Sequence, residues 1–354
     1  MSATNNRKVV LRRVPEGMPK PSDFEIVHEE LPAPGPGQML LRTRWLTLDP
    51  YMRSTFMNSA DNEGRTVIGG TVSEVTESRV DGWNEGDLVV GYYGWQEQCL
   101  ASASDVQWNN PGIPIQKWDG SLGPASTALG ILGMTGYTAY QGLLQVARVK
   151  AGETVVVSAA SGAVGQVVGQ LAKIKGARAV GIAGGPAKCA WCVDELGFDA
   201  CIDYKTPSFA TELANAAPDG VDIYFENVGG DVLEAVIPLL NPGCRVPICG
   251  FIAHYNLTSA ERRPTPLQRL KAEGLPVLPQ DGNNNGAGGY RFFAFSELAA
   301  SHPAAEEALE EMSGWIKQGR LKYRESVTEG LGGSIDAFIG MLQGSNFGKT
   351  MVRL

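Results

Sequence analysis

Apolar and polar residues follow two different patterns along the chain. Up to about residue 125, short apolar runs such as 67–75 and 87–93 are separated by glycine, proline and aspartate. This pattern predicts β-strands joined by turns. A helix is predicted over 127–149. The run Thr154–Ser158 is almost entirely β-branched, which is typical of a strand buried on both faces.

Strands and helices alternate after residue 152. The strands are predicted at 154–158, 179–183, 201–202, 221–226 and 246–249, and the helices at 163–175, 187–196, 208–216 and 231–240. These βα units predict an α/β fold with a doubly wound parallel sheet, beside the β-rich first part. The proline-rich stretch 256–289 is predicted to be a long loop. A strand at 291–295, a helix at 304–318 and a strand–helix–strand tail follow it.

Composition narrows the class of protein. A chain of 354 residues is too long for one compact core, so two domains are expected. The 38 acidic residues outnumber the 30 basic ones, and the net charge of −8 disfavours nucleic acid as a partner. No long apolar run and no secretory signal are present, so no membrane partner is expected. Six irregularly spaced cysteines indicate free thiols and a cytoplasmic protein.

A glycine-containing segment links the first strand and helix of the alternating part. Its residues 159–165 read Ala-Ala-Ser-Gly-Ala-Val-Gly, with Ala159 in the place of the first glycine of the usual dinucleotide-binding pattern. Glycine lets the backbone approach a pyrophosphate, and the helix N-terminus favours an anion. The strand–turn–helix context predicts dinucleotide binding at Gly162, Ala163, Val164 and Gly165. The alternative is a tight turn that serves packing only.

The end of the next strand indicates which dinucleotide is bound. A site for NAD places an acidic residue there, whereas residues 183–188 read Ala-Gly-Gly-Pro-Ala-Lys. A carboxylate would repel a 2′-phosphate and Lys188 would attract one, so the sequence predicts NADP. The alternative for Lys188 is an ordinary solvated lysine at a helix start.

Metal and nucleophile motifs are missing from the sequence. The three histidines, His28, His254 and His302, lie far apart without zinc-ligand spacing. Cys189 and Cys192 form one CxxC without a second pair, so no metal is expected, and a redox pair is the minor alternative. The YxxxK and GxSxG patterns are also absent.

Several short segments together resemble a known family. They are spread over nearly the whole chain, at 48–53 (LDPYMR), 133–140 (GMTGYTAY), 159–165, 225–230 (FENVGG), 249–256 (CGFIAHYN) and 346–350 (NFGKT). The sequence resembles the zinc-independent medium-chain dehydrogenase/reductase superfamily and, within it, the NADPH-dependent alkenal/one double-bond reductases.

The resemblance implies a fold, a cofactor and a reaction. It implies a GroES-like β-rich catalytic domain over 1–127 and 299–354, with a Rossmann domain inserted at 128–298. It also implies NADPH, a homodimer and a small hydrophobic α,β-unsaturated ketone or aldehyde as the substrate. Hydride would go to the β-carbon, and the enolate would be protonated at the α-carbon without a metal.

Site residues carry over by matching position. Besides the glycine segment, the predicted cofactor contacts are Lys188 and Tyr204 at the adenosine phosphate, and Met134, Thr138, Asn227, Cys249, Gly250, Phe251, Ile252, Tyr255, Phe293, Ala294, Phe295 and Asn346. Tyr51 and Tyr255 are the predicted catalytic residues, because a phenol can donate a hydrogen bond or proton without a metal. The alternative for each is a packed aromatic whose hydroxyl is satisfied by the backbone.

Some positions depart from the family pattern. Thr135 stands where proline is usual and Tyr137 where leucine is common, and Pro247 lies where a strand would donate a hydrogen bond. The stretch 256–289 is longer than usual. Two other functions stay open: a zinc-free quinone oxidoreductase, whose branch also lacks metal ligands, and a non-enzymatic NADPH-binding sensor.

Overall fold

A computed structural model describes residues 4–107, 110, 112–279, 288–294, 297 and 302–354. The chain divides into two compact units. Unit 1 comprises Met1–Gly133 and Glu325–Leu354, and unit 2 comprises Met134–Arg324. Among the described helices, none is long and apolar enough to cross a membrane.

The elements alternate in type only in the middle of the chain. The strands are β1 (Thr4–Leu11), β2 (Phe24–Leu31), β3 (Gln38–Thr47), β4 (Thr71–Ser78), β5 (Leu88–Gly91), β6 (Gln98–Ser102), β7 (Gln116–Lys117), β8 (Thr154–Ser158), β9 (Arg178–Ala183), β10 (Ala200–Asp203), β11 (Val221–Phe225), β12 (Leu240–Ile248), β13 (Gly289–Phe292), β14 (Glu325–Glu329) and β15 (Lys349–Arg353). The helices are α1 (Tyr51–Thr55), α2 (Met134–Tyr140), α3 (Gly165–Ile174), α4 (Pro186–Asp194), α5 (Phe209–Ala216), α6 (Gly230–Val236), α7 (Pro266–Ala272), α8 (His302–Lys317) and α9 (Ser334–Leu342).

Unit 1 is built around a largely antiparallel sheet. Its strand order is β14-β15-β3-β4-β5-β7, and β6 also pairs with β3. β15 runs parallel to β14 and antiparallel to β3. Alternate apolar residues of β3, Met39 and Leu41, are fully buried against Val75 and Val89, as expected for strands with one face in a core.

Unit 2 contains a six-stranded parallel sheet in the order β10-β9-β8-β11-β12-β13. All five residues of β8 are buried, because helices cover both faces of such a sheet. The order reverses direction between β8 and β11, and ligands of doubly wound sheets bind outside the carboxyl ends of the strands at that point. The fold class predicted from the sequence, a doubly wound parallel sheet beside a β-rich unit, is confirmed.

The helix predicted over 127–149 was wrong. Two short helices, Ala125–Leu129 and α2, and a π-helix, Gln141–Val146, take its place. The break lies at glycines: a Cβ on Gly133 would come within 1.9 Å of the Ala128 carbonyl oxygen. The chain therefore turns too tightly here for one continuous helix.

The loop predicted at 256–289 was also wrong in part, since α7 lies within it. Thr265 caps this helix: its backbone N–H donates to Gln268 Oε1 over 2.8 Å, and Pro266 occupies the first turn. The sequence contains this capping pattern, but the prediction of a loop gave more weight to the neighbouring prolines. Residues 280–287 lie outside the described residues.

Pro247 lies inside a central strand. Its carbonyl oxygen accepts a hydrogen bond of 3.0 Å from the backbone N–H of Glu226, and its other neighbour is Arg291 of β13. The ladder between β11 and β12 therefore lacks one donor but continues on both sides of the proline.

Candidate functional site

The predicted cofactor residues of unit 2 follow the carboxyl ends of its parallel strands. In sheet order they are Tyr204 after β10, Lys188 after β9, Gly162–Gly165 after β8, Asn227 after β11, Cys249–Tyr255 after β12 and Phe293–Ala294 after β13. Phe295 lies outside the described residues. All six strands thus present predicted contacts at one edge of the sheet.

The glycine segment folds back tightly over the start of α3. A Cβ on Gly165 would come within 2.3 Å of the Ala159 carbonyl oxygen, and one on Gly162 within 3.0 Å. Ala159 has a φ of 51°, a left-handed conformation that glycine adopts without strain. Backbone without side chains therefore lies at the N-terminus of α3, where N–H groups and the helix dipole favour an anion.

Two lysines and a tyrosine converge beside Gly184. A Cβ on Gly184 would come within 2.8 Å of the Tyr204 ring and 3.1 Å of Lys205 Cε. Lys188, half-buried in the first turn of α4, has its pKa lowered by burial and by the charge of Lys205. Two cations held close together form a site for an anion with more than one negative charge.

The turn before these lysines is fixed by Asp203. Its Oδ1 accepts hydrogen bonds from the backbone N–H groups of Gly185 (2.9 Å) and Lys205 (3.0 Å). The Asp203 carboxylate thus accepts hydrogen bonds from the protein's own backbone at the start of α4. Lys205 was not among the predicted residues, although it directly follows Tyr204 in the sequence.

Ser158 joins the ends of β8 and β11. Its Oγ donates to Glu226 Oε1 over 3.1 Å and accepts from the backbone N–H of Asn227 over 2.8 Å. The Asn227 amide donates to the Ser158 carbonyl oxygen over 2.8 Å. Glu226 is fully buried, and burial raises its pKa, against the backbone N–H groups of Val228 and Gly229. Asn227 is therefore held by a network that extends into the core.

The segment after β12 closes around Tyr255. The Cys249 thiol donates to Asn227 Oδ1, and the Phe251 backbone N–H donates to the Tyr255 hydroxyl over 3.3 Å. A Cβ on Gly250 would come within 3.0 Å of the same hydroxyl. The Phe251 ring lies 5.7 Å from the Tyr255 ring. The hydroxyl is thus bonded to the backbone, as the alternative interpretation expected, yet a phenol oxygen that accepts also carries a proton to donate.

The remaining predicted contacts of unit 2 are mostly buried. Phe293 is 2% exposed and packs edge-on against Phe225. Its side chain therefore belongs to the core, and only its backbone is left for contact with a ligand. The Thr138 hydroxyl donates to the Met134 carbonyl oxygen over 2.8 Å within α2. Ile252 begins a short helix and donates to the Asn227 carbonyl oxygen over 3.2 Å.

Tyr51 lies in unit 1 at the start of α1. Its hydroxyl is 3.0 Å from the hydroxyl of Tyr92. Burial, and next the neighbouring Tyr92, raise the pKa of Tyr51 well above its ordinary value, and burial raises the pKa of Tyr92 as well. Both phenols are therefore protonated hydrogen-bond donors at neutral pH. Tyr92 was missed from the sequence, because only the fold brings it to Tyr51.

A buried ion pair supports the segment that ends in Tyr51. Lys349 Nζ lies 3.0 Å from Asp49 Oδ1, and both side chains are 3% exposed. The Thr47 hydroxyl donates to the other oxygen of Asp49 over 2.6 Å. Asn346, also in unit 1, donates through its amide to the Gly348 carbonyl oxygen over 2.9 Å. The sequence segments 48–53 and 346–350 thus meet at this pair.

Within the part of the chain that the structure describes, no group of three histidine, cysteine or acidic side chains is placed to hold a metal ion.

Comparisons with known proteins agree with both units. Two family models match, described as the N-terminal domain of oxidoreductase at 7–108 and as zinc-binding dehydrogenase at 163–277. The chain is 40% identical to the NADPH-dependent curcumin reductase of Escherichia coli, over 99% of this chain and 97% of that protein. It is 35% identical to the 2-alkenal reductase (NADP(+)-dependent) of Nicotiana tabacum, over 98% and 97%.

A solved structure is similar over the whole chain. The crystal structure of CurA in complex with NADPH from Vibrio vulnificus has a TM-score of 0.85 and 40% sequence identity, and the match covers 98% of each chain.

Proposed function

Since this chain belongs to the NADPH-dependent alkenal reductase branch of the zinc-independent medium-chain dehydrogenase/reductase superfamily, we propose which of its residues perform the reaction. The protein is an NADP-dependent oxidoreductase that reduces the carbon–carbon double bond of α,β-unsaturated ketones and aldehydes. Its cofactor is NADPH. The observation that best supports the proposal is that a glycine segment and two lysines lie together at the carboxyl ends of the parallel strands.

The residues of unit 2 fit the cofactor. The backbone at Gly162 and Gly165 leaves the space that a Cβ would fill, and we assign it to the pyrophosphate. Lys188 and Lys205, with Tyr204 beside them, hold the adenosine 2′-phosphate. Their like charges raise the energy of the site until an anion binds, which favours NADPH over NADH.

The nicotinamide side is formed by the remaining predicted contacts. We assign it to Asn227 and to the segment from Cys249 to Tyr255, and we propose Met134, Thr138, Phe293, Ala294 and Asn346 as further contacts. When bound, NADPH supplies a hydride to the β-carbon of the substrate, and the enolate is then protonated at its α-carbon. Ser158 and Glu226 keep Asn227 in place through the bonds described above.

Tyr51 binds the substrate oxygen. Negative charge develops on that oxygen as the double bond is reduced, and a neutral phenol stabilises it by donating a hydrogen bond. The raised pKa of Tyr51 keeps the proton on its hydroxyl. Tyr92 accepts or donates at the same hydroxyl and so orients it. Tyr255 holds a proton that can be passed to the α-carbon.

Product identity tests this function. The purified protein is incubated with NADPH or NADH and a panel of enones, enals and quinones, and products are identified by mass spectrometry. Saturated ketone or aldehyde is expected, with NADPH far more than with NADH. Reduced quinone alone would make it a quinone oxidoreductase, and allylic alcohol would show hydride going to the carbonyl carbon. Binding of NADPH without any turnover would favour a sensor.

Tyrosine variants test the assignment of Tyr51. Tyr51→Phe is expected to lower kcat by about tenfold or more, because one donor to the developing charge is lost. Tyr92→Phe is expected to have a smaller effect. Tyr93→Phe is the matched control, since this neighbouring ring packs against Gly91. Equal losses in Tyr51→Phe and Tyr93→Phe would contradict the assignment.

We also propose that the protein is a cytoplasmic homodimer that acts on small hydrophobic substrates. The family resemblance supports the dimer, and all six cysteines being free thiols is in keeping with a reducing compartment. Light scattering coupled to size-exclusion chromatography measures the mass, and a monomer would contradict the proposal. Localisation of a tagged chain by fractionation tests the compartment.

A further inference from the structure

Three thiols meet beside the proposed phosphate site. Cys189 and Cys192 lie on α4, and Cys201 lies on β10, the edge strand next to β9. The thiols of both helix cysteines lie close enough to Cys201 to raise its pKa. The sequence shows only the CxxC of α4, because Cys201 joins the pair through the fold.

The position of Cys201 is set by a glycine. Cys201 is paired with Gly181 of β9, and a Cβ on Gly181 would come within 3.0 Å of the Cys201 sulfur. The missing side chain leaves room for this sulfur under α4. Cys192 is fully buried, Cys189 is 9% exposed and Cys201 is partly exposed. A small polar molecule can therefore approach the Cys189–Cys201 side of the cluster more easily than Cys192.

The two sulfurs differ in character. The neighbouring Cys201 thiol lowers the pKa of Cys189, against burial and the carboxylate of Asp203, and the Ala183 backbone N–H adds to the lowering. The neighbouring Cys189 and Cys192 thiols raise the pKa of Cys201. Cys189 also lies in the first turns of α4, where the helix dipole favours a thiolate. These causes favour the thiolate form at Cys189 and the protonated form at Cys201.

We propose that Cys189 and Cys201 form a peroxide-responsive disulfide site that controls the adjoining phosphate-binding lysine. The Cys189 thiolate attacks one oxygen of hydrogen peroxide, the O–O bond breaks, and hydroxide leaves and takes up a proton. The resulting sulfenic acid is attacked by the Cys201 sulfur, the S–S bond forms, and the S–O bond breaks with loss of water. Overall, two thiols lose two hydrogens and one peroxide is reduced to two waters.

The disulfide changes the start of α4. Two sulfurs that are not bonded must approach to about 2.05 Å to form a disulfide, so the first turn of α4 is drawn toward β10. Lys188 directly precedes Cys189 and moves with it. This consequence rests on the proposed function, in which Lys188 holds the 2′-phosphate. NADPH binding is therefore expected to weaken, while NADH binding stays as it was.

Peptide mapping tests the site itself. Reduced protein is treated with hydrogen peroxide and digested without reductant. Trypsin leaves all three cysteines in one peptide, 189–205, since it cleaves after Lys188 and Lys205. Chymotrypsin, which cleaves after Trp191 and Phe198, then separates the three cysteines. A Cys189–Cys201 link is expected. A Cys189–Cys192 link, or sulfenic acid without any link, would overturn the proposal.

Cofactor titration tests the consequence. The Kd for NADPH, measured by calorimetry, is expected to rise about tenfold after oxidation, as for loss of one charge-assisted hydrogen bond, and to recover with dithiothreitol. Cys201→Ser is expected to abolish the response and to keep the reduced protein's Kd. Cys244→Ser, a buried cysteine of β12, is the matched control and keeps the response. A rise that persists in Cys201→Ser would assign the effect to another cysteine, such as Cys249, and overturn the proposal.

One variant separates this proposal from the function on which it rests. If Lys188→Ala binds NADPH as tightly as the wild type, the assignment of Lys188 to the phosphate is wrong. The peptide map is independent of the cofactor, so absence of the Cys189–Cys201 link overturns the disulfide site whatever Lys188 does.

Discussion

The buried ion pair between Asp49 and Lys349 allows a sharp test of the packing of unit 1. Replacing Lys349 by methionine keeps the apolar stem and removes the charge. Lys349 Nζ also donates to the carbonyl oxygens of Leu48 (2.8 Å) and Thr350 (3.1 Å), so three acceptors lose this donor. Burial lowers the pKa of Lys349, against the attraction of Asp49.

The expected loss is large because Asp49 stays buried after its positively charged partner is removed. With Lys349 gone, the Thr47 hydroxyl is the hydrogen-bond donor that the structure shows on the carboxylate. Removing one partner of a buried pair costs about 3–5 kcal/mol. For a unit of this size, that corresponds to a fall in Tm of roughly 6–20 °C.

Scanning calorimetry measures the effect, with Lys117→Met as the matched control. Lys117 is paired with Asp87 over 2.6 Å in the same unit, but its side chain is 43% exposed. The same substitution there is expected to change stability by at most about 1 kcal/mol. The double variant Asp49→Asn/Lys349→Met should lose less than the sum of its single changes, since the uncompensated charge is gone. Equal Tm values for Lys349→Met and Lys117→Met would refute the reasoning.

Three further predictions concern unit 2. Gly165→Ala is expected to lower the free energy of unfolding by about 1–3 kcal/mol, because its Cβ would overlap the Ala159 carbonyl oxygen; an unchanged urea midpoint would contradict this. Glu226→Gln is expected to gain stability over the wild type as the pH rises from about 4.3, because the raised pKa makes ionisation of buried Glu226 unfavourable in the folded state. Tm curves of the two proteins that stay parallel across pH would exclude that effect. Lys205→Ala is expected to raise KM for NADPH about tenfold and leave KM for NADH unchanged. The control is Lys175→Ala, at the end of α3 over the Trp315 ring, which should change neither KM. A similar rise in KM for both cofactors with Lys205→Ala would contradict a phosphate contact.

The parallel sheet could be predicted because burial on both faces leaves a direct mark on the sequence. β8 is apolar or β-branched throughout, and all its residues are buried. The glycine segment was predictable for a related reason: only glycine fits where α3 approaches the Ala159 carbonyl oxygen. Local sequence and tertiary structure impose the same requirement at these positions.

Other features depend on contacts that no local pattern records. Tyr92 follows a short strand, β5, and becomes relevant through its hydroxyl contact with Tyr51, forty-one positions earlier. Cys201 likewise gains its partners through the packing of α4 on β10. The wrong predictions at 127–149 and 256–289 have another cause. They used how many glycines and prolines each stretch contains, whereas the structure depends on where each one lies in a turn or a helix cap.

The place of β15 between β14 and β3 has a consequence for synthesis on the ribosome. β3 is translated early, but β15, which pairs with residues 45–47 of β3, emerges about 300 residues later. At roughly 5–20 residues per second, residues 45–47 of β3 wait about 15–60 s without this partner. Unit 2, which is continuous in sequence, is complete before this partner emerges. Nascent chains stalled before residue 349 should therefore contain a protease-resistant unit 2 and depend on chaperones to protect this unpaired part of β3.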